Sequence, residues 1–171
     1  TSGAMDARLA GLLTGPQFWE SFREDRLLLF QSDTLLTSPA VEDFRLFDYV
    51  GAPCGRFDDQ YIANGGLSLR SRRVMRECVA KLRPRDGVAE DIFFTEAVRR
   101  IGAAMPDLDT ATRFAVESLY TAHPVGVHGT DKCFHSVETA QRITPAGREP
   151  FADRQDPFQV GKLGSRKAVA V

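Results

Sequence analysis

Apolar residues along the chain fall into short clusters of differing spacing, and the spacing predicts the element. Leu27-Leu28-Leu29-Phe30 is a continuous apolar run too short for a helix. Such a run predicts a strand covered on both faces, as in an α/β sheet. It stops at the polar Gln31-Ser32-Asp33. Ahead of it, Thr14-Gly15-Pro16 predicts a short helix through Phe18, Trp19 and Phe22, because Thr can cap and Pro is tolerated in the first turn. Ser38-Pro39 predicts a second short helix over Val41 to Phe47, and Tyr49-Val50-Gly51-Ala52-Pro53 a strand ending in a turn.

A polar stretch from Gly55 to Tyr61 leads to Asn64-Gly65-Gly66, after which Leu67-Ser68-Leu69 alternates like a half-buried strand. Ser71 is placed to cap a helix carrying Val74, Met75, Cys78, Val79 and Leu82, which Pro84 to Gly87 ends. Glu90-Asp91 opens a further helix, whose apolar positions Phe93, Phe94, Ala97, Val98 and Ile101 recur at three- and four-residue spacing. Phe114-Ala115-Val116 and Val125-Gly126-Val127 read as short strands. From about Thr144 the chain is rich in Pro, Gly, Asp and Arg and reads as a loosely packed extension, 144–171, while 1–11 reads as a tag or flexible lead-in. Alternating elements with buried strands predict an α/β fold in one domain.

Composition narrows the function classes. The 171 residues carry a formal net charge of -1, which lacks the basic excess of a dedicated nucleic-acid binder. No apolar run approaches the roughly 18 residues that span a bilayer. Three widely spaced cysteines, Cys54, Cys78 and Cys133, form no Cys-x-x-Cys pair. That set fits a reducing compartment, so the expected location is cytoplasmic, and it fits neither a zinc ribbon nor a disulfide scaffold.

Four groups of residues have chemistry to offer, and each has a plainer structural reading. Asp33 follows a buried strand, where ligands of α/β sheets collect, and with Gln31 two residues earlier it could hold Mg²⁺ or Mn²⁺; equally, it could hydrogen-bond a turn. Asn64, Gly65 and Gly66 let backbone approach a ligand, with Arg70 beyond them, or they form an ordinary turn. Glu90 and Asp91 suit the positive end of a helix dipole, or supply a general base held rigidly at a helix start. His123, His128 and His135 lack the spacing of a zinc protease; one could join Asp33 on a cation, or be a histidine bonded to backbone.

Taken in order, the blocks LLLFQSDTLL, FDYVGAP, NGGLSLRSR, AEDIFF, TRFAVE and HPVGVHG resemble a glycosyltransferase-like domain family of formerly unknown function, which belongs with the GT-A nucleotide-sugar transferases. The resemblance covers roughly Leu12 to Gly129 and implies a catalytic domain over 12–143 with a GT-A-like, Rossmann-like mixed sheet flanked by helices. It implies that Asp33 stands at the DxD metal motif, Glu90-Asp91 at the Glu-Asp motif of the catalytic base, and His128 at the metal-completing histidine. Gln31 replaces the first Asp of that motif, which implies a metal held largely through substrate phosphates.

On this resemblance the protein moves a sugar from a UDP- or GDP-sugar to the hydroxyl of a glycan or small-molecule acceptor, with Mn²⁺ or Mg²⁺ as cofactor. Asp91 is then the base if the reaction inverts the anomeric centre, a retaining reaction using the same scaffold differently, and Gln31, Asn64, Gly65, Gly66 and Arg70 shape the donor or acceptor pocket. The resemblance enters just before the metal motif, so the nucleotide-binding βαβ half is expected to lie outside this sequence. Two other classes stay open: a noncatalytic carbohydrate- or nucleotide-binding module of the same fold, and a nucleotidyltransferase, which also needs carboxylates and a cation.

Overall fold

The structure, a computed structural model, describes residues 2–54, 61–117, 119, 121–129 and 167–170. Cys133, His135, the polar stretch 55–60 and the extension 144–166 lie outside the described residues. The described part is a mixed α/β arrangement of two small sheets flanked by helices. The first sheet has the order β3-β4-β1-β7, formed by Tyr49–Cys54, Ile62–Ser71, Arg26–Phe30 and Lys167–Ala170, and all its pairings are antiparallel. The second, smaller sheet has the order β2-β6-β5, from Thr34–Leu36, Gly126–His128 and Ala115–Val116. There β2 runs antiparallel and β5 parallel to β6, so among the described residues the mixed pairing that the resemblance implies occurs in this sheet alone.

The apolar run of β1 has the predicted consequence. Leu27 and Leu29 face a core with Trp19, Tyr49, Met75 and Phe94, whereas Leu28 faces a second core with Val50, Leu67, Leu69 and Phe114. Successive strand residues point to opposite faces, so a strand with helices on one side and a second layer on the other needs apolar residues throughout. Both faces are covered although the sheet is antiparallel.

Helix α1 spans Ser2–Leu13, so the lead-in is helical, and Thr14 terminates it by donating its hydroxyl to the Ala10 carbonyl. Thr14 therefore does not cap α2, Pro16–Glu20, whose N-cap is Gly15 without a side-chain bond. The segment expected as a helix over Val41 to Phe47 is a five-residue 3-10 helix, Ala40–Phe44. Ser71 caps α3, Arg72–Lys81, as expected, its hydroxyl accepting from the Val74 N–H. Helix α4 is Glu90–Arg100, and α5, Leu108–Phe114, takes residues the sequence pattern left without a helix. Asp107 caps α5 by accepting from Thr110 N–H at 2.8 Å.

Asn64-Gly65-Gly66 is not a turn. It lies inside the ten-residue β4, and neither glycine is among those with positive φ. The register of β3 on β4 shifts between Gly51 and Pro53, and a Cβ at Gly51 would collide with the Asn64 carbonyl. A residue without Cβ allows that close approach of two strands. No described helix is long and apolar enough to cross a membrane.

Candidate functional site

The two sheets meet at the carboxyl end of β1. Gln31 N–H donates to the Gly66 carbonyl at 2.7 Å, and the Thr34 hydroxyl donates to the same oxygen at 3.0 Å. Between them the chain turns, with Thr34 N–H donating to the Gln31 carbonyl, and β2 then joins the second sheet. Thr34 pairs with His128 on the central strand β6, so the turn carrying Gln31 and Asp33 is delivered to one side of the histidine. On the other side, Val116 pairs with Val127, and Glu117 follows one residue later.

Three residues from two separate stretches of the chain thereby converge on one imidazole. His128 Nε2 lies 2.8 Å from Gln31 Oε1 and 3.5 Å from Asp33 Oδ1, while Nδ1 lies 3.5 Å from Glu117 Oε1. The ring lies directly over Gly66, where a Cβ would overlap the His128 imidazole. The glycine is needed for close approach, as the sequence suggested, but what approaches is a side chain of the protein itself. Asn64 closes the floor: its Nδ2 donates to Glu117 Oε1 at 3.1 Å, and its Oδ1 accepts from Gly66 N–H at 2.6 Å.

Cys54, at the end of β3, borders the same group. Burial pushes its thiol up to about 12, with the Glu117 and Asp91 carboxylates adding to the shift. A thiol so placed stays protonated at neutral pH and is not a nucleophile. Asp91, half-buried in the first turn of α4, is therefore within electrostatic reach of Cys54, and its Oδ1 accepts the Ile92 N–H at 2.8 Å.

Arg70 and Glu90 are placed differently. Arg70 Nη1 and Nη2 reach Glu90 Oε2 and Oε1 at 2.9 and 3.3 Å, and Arg70 Nε donates to Ser68 Oγ at 2.9 Å. The guanidinium lies over the Tyr49 ring at 4.6 Å and the Phe94 ring at 5.3 Å. Both side chains are closed to solvent, at 0% and 4% exposure. Burial pulls Arg70 below its ordinary value, while Tyr49 and Asp91 act in the opposite sense. The sequence offered Arg70 as a pocket residue and Glu90 as a catalytic one; in the fold they face each other in the core, bolting the start of α4 to β4.

Gly65 is buried within β4. His123 is exposed, which leaves His128 as the histidine of the cluster among the described residues. Glu117 was not singled out from the sequence, although it carries the signal that marked Asp33: an acidic residue directly after a buried strand. Short β5, two residues long, made that signal faint.

Could the cluster accept a cation? Its donor set toward Nε2 is an amide oxygen, a carboxylate oxygen and an imidazole nitrogen, a combination that Mn²⁺ and, less readily, Mg²⁺ accept. Among the described residues no group of three or more His, Cys, Asp or Glu side chains is arranged to hold a metal. The described side chains therefore do not make a closed metal site by themselves. Separately, an open cavity of about 540 Å³, lined by Tyr61, Arg99, Met105 and Asp107 among others, lies around the end of α4 and the start of α5.

No curated protein and no solved structure matches the chain. A family model does match, over residues 5–128, and this span holds every residue of the cluster from Gln31 to His128. With well over half of its length inside that match, the chain belongs to the family described as protein of unknown function (DUF5672).

Proposed function

We propose that the protein is a nucleotide-sugar-dependent glycosyltransferase with a GT-A-like fold, using a divalent cation at Gln31, Asp33 and His128. The observation that carries this reading is the convergence of Gln31 Oε1 and Asp33 Oδ1 on His128 Nε2 from almost a hundred residues away in sequence. The resemblance of the ordered blocks supplies the reaction class; the geometry supports it by bringing the proposed ligands together. Mn²⁺ or Mg²⁺, when bound, supplies Lewis acidity that offsets the charge of a departing nucleoside diphosphate.

The remaining work falls to the chain's own groups. Asp91, fixed at the start of α4 by the neighbouring Arg70–Glu90 pair, accepts the proton of the acceptor hydroxyl. The acceptor oxygen forms a bond to the anomeric carbon, the bond from that carbon to the diphosphate oxygen breaks, and the diphosphate leaves with the electron pair. Asn64 and Gly66 hold the floor of the site, and Asp33 and His128 orient the leaving group.

Substitution separates these roles. Asp33→Ala should abolish cation-dependent nucleotide binding; retained Mn²⁺-dependent affinity contradicts its assignment. Asp91→Asn should spare donor binding and lower transfer by about 10²–10⁴-fold, the usual worth of a positioned base. Equal turnover removes Asp91 from the mechanism.

A second reading, a noncatalytic carbohydrate- or nucleotide-binding module, is favoured by one contact. Gln31 stands where a first Asp of the DxD motif would be, and its Oε1 already sits 2.8 Å from Nε2. Products distinguish the classes. A transferase releases nucleoside diphosphate, a nucleotidyltransferase releases pyrophosphate, and a binding module releases neither.

A further inference from the structure

Arg99 stands in the last turn of α4, half-buried, and among the described residues it forms no ion pair. The more exposed Arg45, Arg73 and Arg85 each reach a carboxylate. Arg99 is held instead by Tyr61. Its Nη2 donates to the Tyr61 carbonyl at 2.6 Å, and its guanidinium lies 5.4 Å from the centroid of the Tyr61 ring. That ring is fixed in turn, because Tyr61 is 2% exposed and its hydroxyl donates to the Pro106 carbonyl at 2.8 Å. A guanidinium presents five N–H donors in a rigid fork, and one neutral carbonyl and one ring face use little of its capacity for an anion. Withdrawing part of a cation from water without pairing it is unfavourable, so an anion at this fork is favoured.

The fork lines the cavity at the end of α4. Its volume of about 540 Å³ lies within the range of small-molecule sites, about 300–1,000 Å³. Gly102, at a φ of 72°, turns the chain out of α4 and brings Ala103, Met105 and Leu108 back along the cavity. These three are partly buried against the main core and give the cavity an apolar wall. Asp107 lines it as well; its carboxylate accepts the Thr110 N–H at 2.8 Å as the cap of α5 and forms no ion pair with Arg99. One cation with a carboxylate nearby suits a singly charged anion better than a doubly charged phosphate. The room beside the apolar wall suits an anion with an apolar body better than an inorganic ion.

We propose that this cavity binds a small organic carboxylate, its charged end on the Arg99 fork and its apolar body against Ala103, Met105 and Leu108. Asp91 and Arg99 lie at opposite ends of α4, which at 1.5 Å per residue sets them about 12 Å apart along the helix axis. The site is thus separate from the cluster around His128 and stands whether or not the protein transfers a sugar.

Benzoate is a suitable probe, with benzamide as its uncharged equivalent and inorganic phosphate as the anion without an apolar body. Each is titrated into the ¹⁵N-labelled whole chain at constant ionic strength, and the amide signals of residues 102–108 and the Arg99 Nε–H signal are followed. Benzoate should shift them saturably, and benzamide should bind at least about tenfold more weakly, the usual worth of a hydrogen bond to a charged group. Phosphate should bind more weakly than benzoate. Arg99→Met should lose benzoate binding at least about tenfold, and Arg99→Lys, which keeps the charge and loses the fork, should fall between.

Benzamide binding as tightly as benzoate overturns the proposal without any variant having to fold, and so does the absence of a saturable shift with benzoate. Phosphate binding more tightly than benzoate overturns the carboxylate class. An Arg99→Met protein with undiminished benzoate affinity and a folded amide spectrum removes Arg99 from the site and overturns it too.

Discussion

Glu90 and Asp91 are neighbours in sequence, and the fold sends them to opposite environments. Glu90 enters the core and is matched by a bidentate Arg70 stacked between two aromatic rings. Asp91 stays half-buried in the first turn of α4, within electrostatic reach of Cys54, which borders the cluster around His128, where Asp33 and Glu117 retain 18% and 23% side-chain exposure. The first region is electrostatically closed: its charges cancel and its hydrogen bonds are made. In the second, two carboxylates each lie 3.5 Å from one imidazole, and Glu117 Oε2 is buried without a hydrogen-bond partner among the described residues. A closed pair holds an element in place, whereas a partly exposed group can be reached from solvent.

The contrast is broken most severely at the closed pair. Arg70→Met alone removes the bidentate cation from the buried Glu90, and should cost about 3–5 kcal/mol of stability in a denaturant titration. The double variant Arg70→Met/Glu90→Leu should recover much of that loss, since two apolar residues of similar volume leave no uncompensated charge. If the double variant is as unstable as the single one, the pair is not the bolt described above.

Gly66→Ala acts on the other region through packing. Its new methyl group must displace the His128 ring, with an expected cost of about 1–3 kcal/mol, together with loss of Mn²⁺ affinity. An alanine tolerated with unchanged stability and unchanged cation binding shows that the ring does not lie where the cluster requires it.

A third effect is graded with pH. Burial holds the thiols of Cys54 and Cys78 at about 12, above an ordinary value near 9. Above pH 9 the unfolded chain sheds these protons while the folded chain keeps them, so the unfolded state binds fewer protons and stability falls as pH rises. The loss begins near pH 9 and is complete by about pH 12. Urea titrations at pH 8, 9 and 10 should show the decline, and Cys54→Ala should make it shallower. A slope that Cys54→Ala leaves unchanged contradicts the shift at that thiol. The smallest effect is expected from Asp33→Asn, whose stability should remain within about 0.5 kcal/mol of the original, as suits a residue outside the packed core. A large loss makes Asp33 a structural turn residue.

Much of the fold is legible in the sequence, and little of this contrast. The run Leu27–Phe30, the cap at Ser71 and the periodicity after Glu90 are local signals, and local signals survive folding. The turn reading of Asn64-Gly65-Gly66 failed because turn chemistry says only that a backbone is permissive; here permissiveness serves the approach of His128 from another strand. Nothing in the spacing of Arg70 and Glu90 separates a ligand-binding arginine from a core ion pair, since that depends on which face of β4 meets α4. Residues of one motif were split between the two regions for the same reason. Helix α5 is faint in the sequence because about two turns with Asp, Thr and Arg at most positions have little amphipathic pattern.

The central claim is that the open region, with Asp33 and His128 at its centre, binds a nucleoside diphosphate through a divalent cation. A thermal-shift titration with uridine and guanosine diphosphates, each with Mn²⁺ and with a chelator, tests it most directly, because a ligand at 100 times its dissociation constant stabilises a fold by about 2.7 kcal/mol. The account predicts a shift with one nucleotide that requires Mn²⁺ and disappears in Asp33→Ala. A shift indifferent to the chelator and to Asp33, or no shift with either nucleotide in a protein that carries the nucleotide-binding half as well, contradicts it.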